Sequence, residues 1–412
     1  MSSTKTAIEA AWRIEQSRVI ATLVRFTGDL STAEELAQDA LVAALEQWPE
    51  SGIPRNAGAW LTAVAKRRAI DGWRRQSALR ERYEQLGRAA ELEPVEPDPD
   101  DVVKDDLLRL VFISCHPVLT PEARVTLTLR LLGGLSTDQI ARAFLVPSAT
   151  IGQRISRAKK TLAAAQVPFE VPDRSELRER LGAVLEVLYL VFNEGYSASS
   201  GSDWMRPALT QEALRLGRIL AGLMPKEPEV HGLVALMELQ ASRMGARTAP
   251  DGSPILLSDQ DRTRWDRLQI GRGLAALRRA DSLGRGRGPF ALQAAIASCH
   301  ATAPRPELTD WPEIVALYDA LAALTPSPVI DLNRAVAISM ARGPDAGLLA
   351  IDRLAGVGAL KGYHLLPAVR GDILHRLGRW AEARAEFERA AALTGNERER
   401  ALLLERASAV EL

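Results

Sequence analysis

Between Leu135 and Leu162 the chain reads LSTDQIARAFLVPSATIGQRISRAKKTL, and its second half sets cations at helical spacing. Gln153, Arg154, Arg157 and Lys160 fall on one side of a helix, and Ile151, Ile155, Ala158 and Leu162 fall on the other. Such a helix fits the DNA major groove, where Arg and Gln read base edges and Arg and Lys hold phosphates. Ala149, Thr150, Gln153, Arg154 and Arg157 occupy its first turns, the part that reaches bases, while Lys159 and Lys160 lie further along and suit phosphate. A helix must come before it. Ser136 and Gln139 have capping-box spacing, and Ile140, Ala143 and Phe144 give an apolar face. Leu145-Val146-Pro147 breaks the run, and Ser148 is placed to cap the second helix. The plain alternative is an amphipathic helix with a solvated basic face.

A second group of candidates lies upstream. Lys66, Arg67, Arg68, Arg74 and Arg75 cluster around Trp60 and Trp73. Cations track phosphates, and aromatic faces accept unstacked bases, so this composition suits a single strand. The elements expected to carry it are a helix starting at Ser31 or Thr32, with Glu34 and Glu35 three residues on, and ending at Trp48-Pro49. A loop comes next over 50–58, then a second helix from Trp60 to about Arg75. On the first helix Leu36, Ala40, Ala44 and Trp48 lie to one side, and Glu35, Gln38, Asp39, Val42 and Glu46 toward another.

The segment STAEELAQDALVAALEQWPESGIPRNAGAWLTAVAKRRAIDGWRRQ resembles region 2 of a bacterial RNA polymerase sigma factor of the extracytoplasmic-function type, and the helix-turn-helix resembles region 4 of the same family. Order and spacing agree. The resemblance implies region 2 over 1–90, an acidic linker over 91–106 and region 4 over 107–166. It implies that Glu35, Gln38, Asp39 and Val42 dock on the clamp helices of the largest subunit of core RNA polymerase, whose second-largest subunit offers its flap to the other sigma region. It implies further that Trp60, Lys66, Arg67, Arg68, Trp73, Arg74 and Arg75 serve the −10 element of promoter DNA, and that the helix-turn-helix reads the −35 element. Arg67 stands where the family often has Asn, so its base preference does not transfer. Trp60 and Asp71 match the pattern but also suit structural roles, Trp60 in a core and Asp71 beside an Arg.

Composition bounds the rest. Lys and Arg total 52, as do Asp and Glu, so the formal net charge is zero, but its distribution is uneven. From Glu91 to Asp106 eight acidic residues face one Lys, and from Leu107 to Gln166 eight basic residues face two acidic ones. A neutral total does not argue against DNA, because the local field does the binding. Abundant Ala, Leu, Arg and Glu with 5% aromatics favour helices. No apolar run has membrane-spanning length, and the first residues lack the apolar centre of a signal peptide, so a cytoplasmic protein with no membrane contact is expected. Cys115-His116 and Cys299-His300 lack chelating spacing, since neighbours on a helix point about 100° apart. Two buried thiols and no metal or cofactor are expected.

After a Pro-bounded joint at Val167 to Asp173, a tail occupies 174–412. Residues 310–325 align with 379–394 at an offset of 69, matching Trp311 with Trp380 and Tyr318 with Phe387. Gly343 to Ala346 align with Gly378 to Ala381 at an offset of 35. A helix-pair period of about 34 residues is that of tetratricopeptide repeats, which stack to form concave surfaces for a protein or ligand partner. Two polar clusters stand apart in stretches of helical pattern: Asn193, Glu194 and Tyr196, and Asp259, Asp261, Arg262 and Asp266. Either could form a ligand pocket or a charge network. Through LYLVFNEGYSAS, LLSDQDRTRWDR and the terminal repeats the tail resembles the extension of one sigma-factor subgroup.

The expected fold is all-α, with two small helical sigma domains followed by a helical-repeat domain. The expected function is promoter-specific initiation without enzymatic activity, regulated in cis by the tail. Two alternatives remain: a DNA-binding repeat adaptor acting without polymerase, and an enzyme using the Asp259–Asp266 cluster. No P-loop, dinucleotide fingerprint or zinc-hydrolase motif supports the latter.

Overall fold

The computed structural model describes residues 2–81, 99–173, 176–354 and 360–409. These residues form helices with no β-strand beyond two isolated bridges, and they divide into two compact units, 1–187 and 188–412. The boundary falls inside a helix, not at the joint over 167–173.

In the first unit α1 (Ser2–Thr27), α2 (Leu30–Ser51) and α3 (Ala57–Glu81) pack on one another. The start of α2 departs from expectation. Its cap is Asp29, whose carboxylate accepts the Thr32 N–H at 2.6 Å, because Leu30 is already helical. Its end runs past Trp48-Pro49 to Ser51. Pro49 lies inside the helix, where it has no N–H to give the Leu45 carbonyl, and Gly52 closes the helix by donating its N–H to the Trp48 carbonyl at 2.9 Å. α3 starts three residues earlier than expected, because the Asn56 side chain accepts the Ala59 N–H.

Residues 82–98 lie outside the described residues, and most of the acidic linker lies with them. Its last part is not extended: α4 (Pro99–Ser114) begins at a proline suited to a first turn and carries Asp106 into the core. There Asp106 meets Arg25 of α1 and Arg109, both at 3.0 Å, so this acidic residue anchors two elements. α5 (Pro121–Leu131), α6 (Thr137–Phe144) and α7 (Ser148–Ala164) complete the unit, with α7 packed on α5 and α6. α8 (Leu177–Tyr196) gives its first half to this unit. Arg180 donates to the Phe112 carbonyl at 3.4 Å, and Leu181 and Val184 are buried.

The second unit is a run of neighbouring helices: α9 (Pro207–Leu223), α10 (Pro228–Ala241), α11 (Arg267–Ser282), α12 (Pro289–Thr302), α13 (Trp311–Leu324), α14 (Pro328–Arg342), α15 (Pro344–Leu354), α16 (Leu365–Arg376), α17 (Trp380–Leu393) and α18 (Glu397–Ala409). From α12 onward each packs on the next. The repeat read from sequence coincides with the helices that start at Trp311, Pro344 and Trp380, the first members of three successive pairs. Phe387 is fully buried and Tyr318 packs into the neighbouring core, so the aligned aromatic position is a packing position in both copies.

Asn396 joins the end of this run to its beginning. It is 1% exposed. Its amide donates to the carbonyls of Ala198 and Asp203 at 3.1 and 2.9 Å, and its oxygen accepts the Arg398 and Glu399 N–H groups at the start of α18. Glu397 adds a backbone bond to Gly201 at 3.0 Å.

Candidate nucleic-acid and polymerase interface

The helix-turn-helix forms as its residues dictate. Ser136 Oγ accepts the Gln139 N–H at 3.1 Å, and Gln139 Oε1 accepts the Ser136 N–H at 2.8 Å, closing both halves of the capping box. Ile140 and Ala141 make the buried face of α6, whereas the expected Ala143 and Phe144 are only half-buried. The turn places Leu145 at φ 53°, a left-handed conformation that glycine adopts more cheaply. Ser148 does not cap α7. Pro147 holds the cap position, and the Ser148 hydroxyl donates to Asp138 Oδ1 at 2.6 Å, tying the two helices across the turn.

On α7, Ile151, Ile155, Ala158 and Leu162 are buried as expected. Ala149, Thr150, Gln153, Arg157 and Lys160 are exposed and Arg154 is half-exposed, so one helix face presents a continuous polar row. Lys159 leaves that row. Its Nζ lies 2.5 Å from Glu34 Oε2, and Arg130 Nε lies 2.6 Å from Glu34 Oε1. Glu34 is on α2 and only 6% exposed. Two cations from the helix-turn-helix domain thus converge on one buried carboxylate of the three-helix domain. Gln16 of α1 adds a bond from its amide to the Arg130 carbonyl at 3.1 Å.

Burial by itself raises the pKa of Glu34, but Arg130 and Lys159 outweigh it and hold the carboxyl below its ordinary value of 4.5. A carboxylate whose folded pKa is depressed stabilises the packing at every pH above 4.5, and that stability is lost as pH falls through the lowered value. Glu34→Gln is therefore expected to weaken the α2–α7 contact at neutral pH by about 2 kcal/mol, the size of a charge-assisted hydrogen bond. Energy transfer between dyes at positions 46 and 156 reports it. Equal transfer efficiency in the variant and the parent at pH 7 would show that the ion pairs do not hold the two domains together.

The expected docking residues lie beside this contact. Glu35, Asp39 and Val42 are exposed and Gln38 is half-buried. Asp39 is paired with Arg68 of α3, at 3.6 Å between charges and 2.8 Å from Arg68 Nη1 to the Asp39 carbonyl. Arg68, assigned by sequence to the −10 element, thus touches a docking residue. Trp60 is half-buried edge-on against the buried Trp48, with centroids 5.1 Å apart, which makes it a core-facing residue. Trp73 is 43% exposed and lies 5.1 Å from the ring of Phe26, over which Lys66 sits at 5.5 Å. Phe26, on α1, is not apparent from sequence because nothing local ties it to α3. Arg67 and Arg74 are exposed; Arg75 lies on α3, and its side chain is outside the described residues.

The sequence profiles of two families match this unit: "Sigma-70 region 2" over residues 12–79 and "Sigma-70, region 4" over 109–162. A "Family of unknown function (DUF6596)" matches 180–281. The chain is 45% identical to the uncharacterized protein R00370 of Rhizobium meliloti over 410 residues, covering 96% of this chain and 94% of that one. It is 29% identical over 168 residues to the probable ECF RNA polymerase sigma factor SigI of Mycobacterium tuberculosis, covering 40% and 57% of the two chains. It is 30% identical over 156 residues to the ECF RNA polymerase sigma factor SigK of Mycobacterium sp., covering 36% and 77%. The chain belongs to the sigma-70 family as an extracytoplasmic-function sigma factor with a C-terminal extension. As a sigma factor it binds core RNA polymerase and promoter DNA to direct transcription initiation, and its family is not one of enzymes. No helix among the described residues is long and apolar enough to cross a membrane.

In the tail of this sigma factor one cluster centres on a charge pair and the other lies outside the α-helices. Glu194 pairs with Arg206, whose second nitrogen donates to the Ser200 carbonyl at 2.8 Å. Asn193 and Tyr196 share the end of α8 with it. Asp259, Asp261 and Asp266 sit in 3-10 turns and caps rather than along helices, and all three are exposed. Asp261 accepts from the Thr263 N–H and hydroxyl, and Asp266 accepts from the Leu268 and Gln269 N–H groups, so these carboxylates are used in local capping. Arg262 points the other way and is buried. Of the two thiols, Cys115 is buried 3.3 Å from the Thr128 hydroxyl, while Cys299 is only half-buried, short of the expected burial.

Proposed function

We propose that the exposed row on α7 reads the −35 element, that Trp73, Phe26 and the α3 cations capture the unpaired −10 strand, and that Glu35, Gln38, Asp39 and Val42 meet the clamp helices of the largest polymerase subunit, with the helix-turn-helix domain on the flap of the second-largest. The observation that carries this reading is the segregation on α7: Gln153, Arg154, Arg157 and Lys160 on the outer face, four apolar residues in. Action on core polymerase and promoter DNA supports a cytoplasmic location.

The Glu34 contact adds a state to this scheme. The two promoter elements are about 25 base pairs apart, roughly 85 Å at about 3.4 Å per pair. Helices joined by a 2.5 Å ion pair do not span that distance, so α2 and α7 part when both elements are engaged. The packed unit is then the free, closed form, and polymerase and promoter together supply the energy that opens it. The tail is proposed to act in cis on that balance.

Purified chain and core polymerase on a promoter fragment test the scheme. The free chain is expected to bind duplex promoter weakly, and core is expected to make binding tight and specific. Nanomolar, sequence-specific binding by the free chain at physiological salt would instead favour a DNA-binding adaptor.

A further inference from the structure

The second unit gathers three guanidinium groups around aromatic rings. Arg247 and Arg262 are each 7% exposed, and Arg243 is half-buried between them. Two rings link them. Arg247 lies 3.6 Å above the Tyr196 ring, with Arg243 at 5.8 Å from the same centroid. Arg243 lies 5.9 Å and Arg262 4.9 Å from the Trp265 centroid. Trp204 closes one side, 5.3 Å from Arg247.

Among the described residues no carboxylate forms an ion pair with any of the three, although other arginines of this unit have such partners: Arg206 has Glu194, Arg218 has Glu238 and Arg370 has Glu386. Glu307 acts on Arg262 only through space, and Arg243 opposes it. An arginine does not shed its charge in a protein, so burial requires compensation. Arg247 donates to the Tyr196 carbonyl. Arg262 donates to the carbonyls of His300 and Ala303 at 2.8 and 2.5 Å and to the Thr309 hydroxyl at 3.3 Å. Carbonyl dipoles and ring faces offset part of the cost but bring no negative charge. Two donors of this cluster, Arg262 Nε and Trp265 Nε1, are buried with no acceptor among the described residues. Among those residues the Arg243 guanidinium has ring contacts and no hydrogen bond, which leaves its planar fork of donors open. The field reaches His300, where burial first and then Arg243 and Arg262 lower the imidazole pKa to about 4.

We propose that Arg243, Arg247 and Arg262 form a binding site for a small oxyanion, a phosphate or carboxylate group, which supplies the missing counter-charge. The buried arginines form its floor and Arg243 its mouth. The faces of Tyr196 and Trp265 are already covered by these cations, so the site selects on charge and fork geometry rather than on stacking. This proposal stands apart from the regulatory reading of the tail, because binding is measured on the free chain without polymerase.

The test is calorimetry and thermal unfolding of the full chain in sodium phosphate, sodium succinate or sodium chloride at matched ionic strength. A saturable heat and a rise in melting temperature are expected with at least one oxyanion and not with chloride. Phosphate alone, succinate alone or both then identify the group bound. Arg243→Gln is expected to weaken binding by about tenfold or more, the size of a charge-assisted bond, with Arg342→Gln, an exposed position on α14, unchanged. Arg243→Lys, which keeps the charge but loses the fork, serves if the Gln variant fails to fold, and the same loss is expected. Three outcomes would overturn the site: no saturable effect beyond chloride, undiminished affinity in the Arg243 variant, or equal losses in the Arg243 and Arg342 variants.

Discussion

Arg154→Ala combined with Arg157→Ala is expected to lower transcription from promoters that depend on the −35 element by about thirtyfold or more, with little change in the affinity for core polymerase. A bidentate Arg–guanine contact discriminates by about 1–3 kcal/mol, so two at the low end give about 2 kcal/mol, or about thirtyfold. Both side chains stand away from the buried Ile151 and Ile155, so truncation leaves the fold of α7 intact. Ile155→Asp is the contrast, because it puts a charge where the residue is 8% exposed and should unfold the domain. Run-off transcription from matched promoters with and without a −35 element separates the effects. Full activity in the double variant, together with loss in Ile155→Asp, would make α7 a structural helix that reads no bases.

Removing the tail is expected to reduce core-dependent transcription by at least several-fold. The cut belongs after Val187 rather than at the end of the region 4 resemblance, residue 166, because the first half of α8 is part of the sigma unit through Arg180, Leu181 and Val184. The tail is tethered to the sigma unit, so even weak contacts act at high effective concentration. Equal activity of the shortened and full-length proteins, at equal folded concentration and with no added partner, would reduce the tail to an independent appendage.

The parts of this protein legible in its sequence were those set by short-range periodicity. The Ser136–Gln139 capping box, the four inner residues of α7 and the helix pairs starting at Trp311 and Trp380 each depend on residues within a turn or a repeat. The Glu34 contact was not legible, because its partners lie 96 and 125 positions away and an acidic residue near a helix start reads first as a cap. The same competition applies at the start of α2, where Asp29 takes the capping position expected of Ser31 or Thr32. Arg262 groups with three aspartates because they adjoin in sequence, yet the turns send it inward and leave the carboxylates outside. The acidic charge over 91–106 suggests a uniform linker, whereas Asp106 has a specific cationic partner in Arg25 that composition does not reveal.

Stacked helix pairs ordinarily behave as a one-dimensional array that melts inward from frayed ends, each pair depending only on its neighbours. Asn396 gives this array a different thermodynamic character. By fastening the start of the last helix to the 198–203 segment, it converts a terminal pair into one that also closes a long covalent loop. Local opening at either end then breaks the same set of bonds, so the two ends share one unfolding free energy. The tail should melt as a single cooperative body rather than by stepwise unzipping.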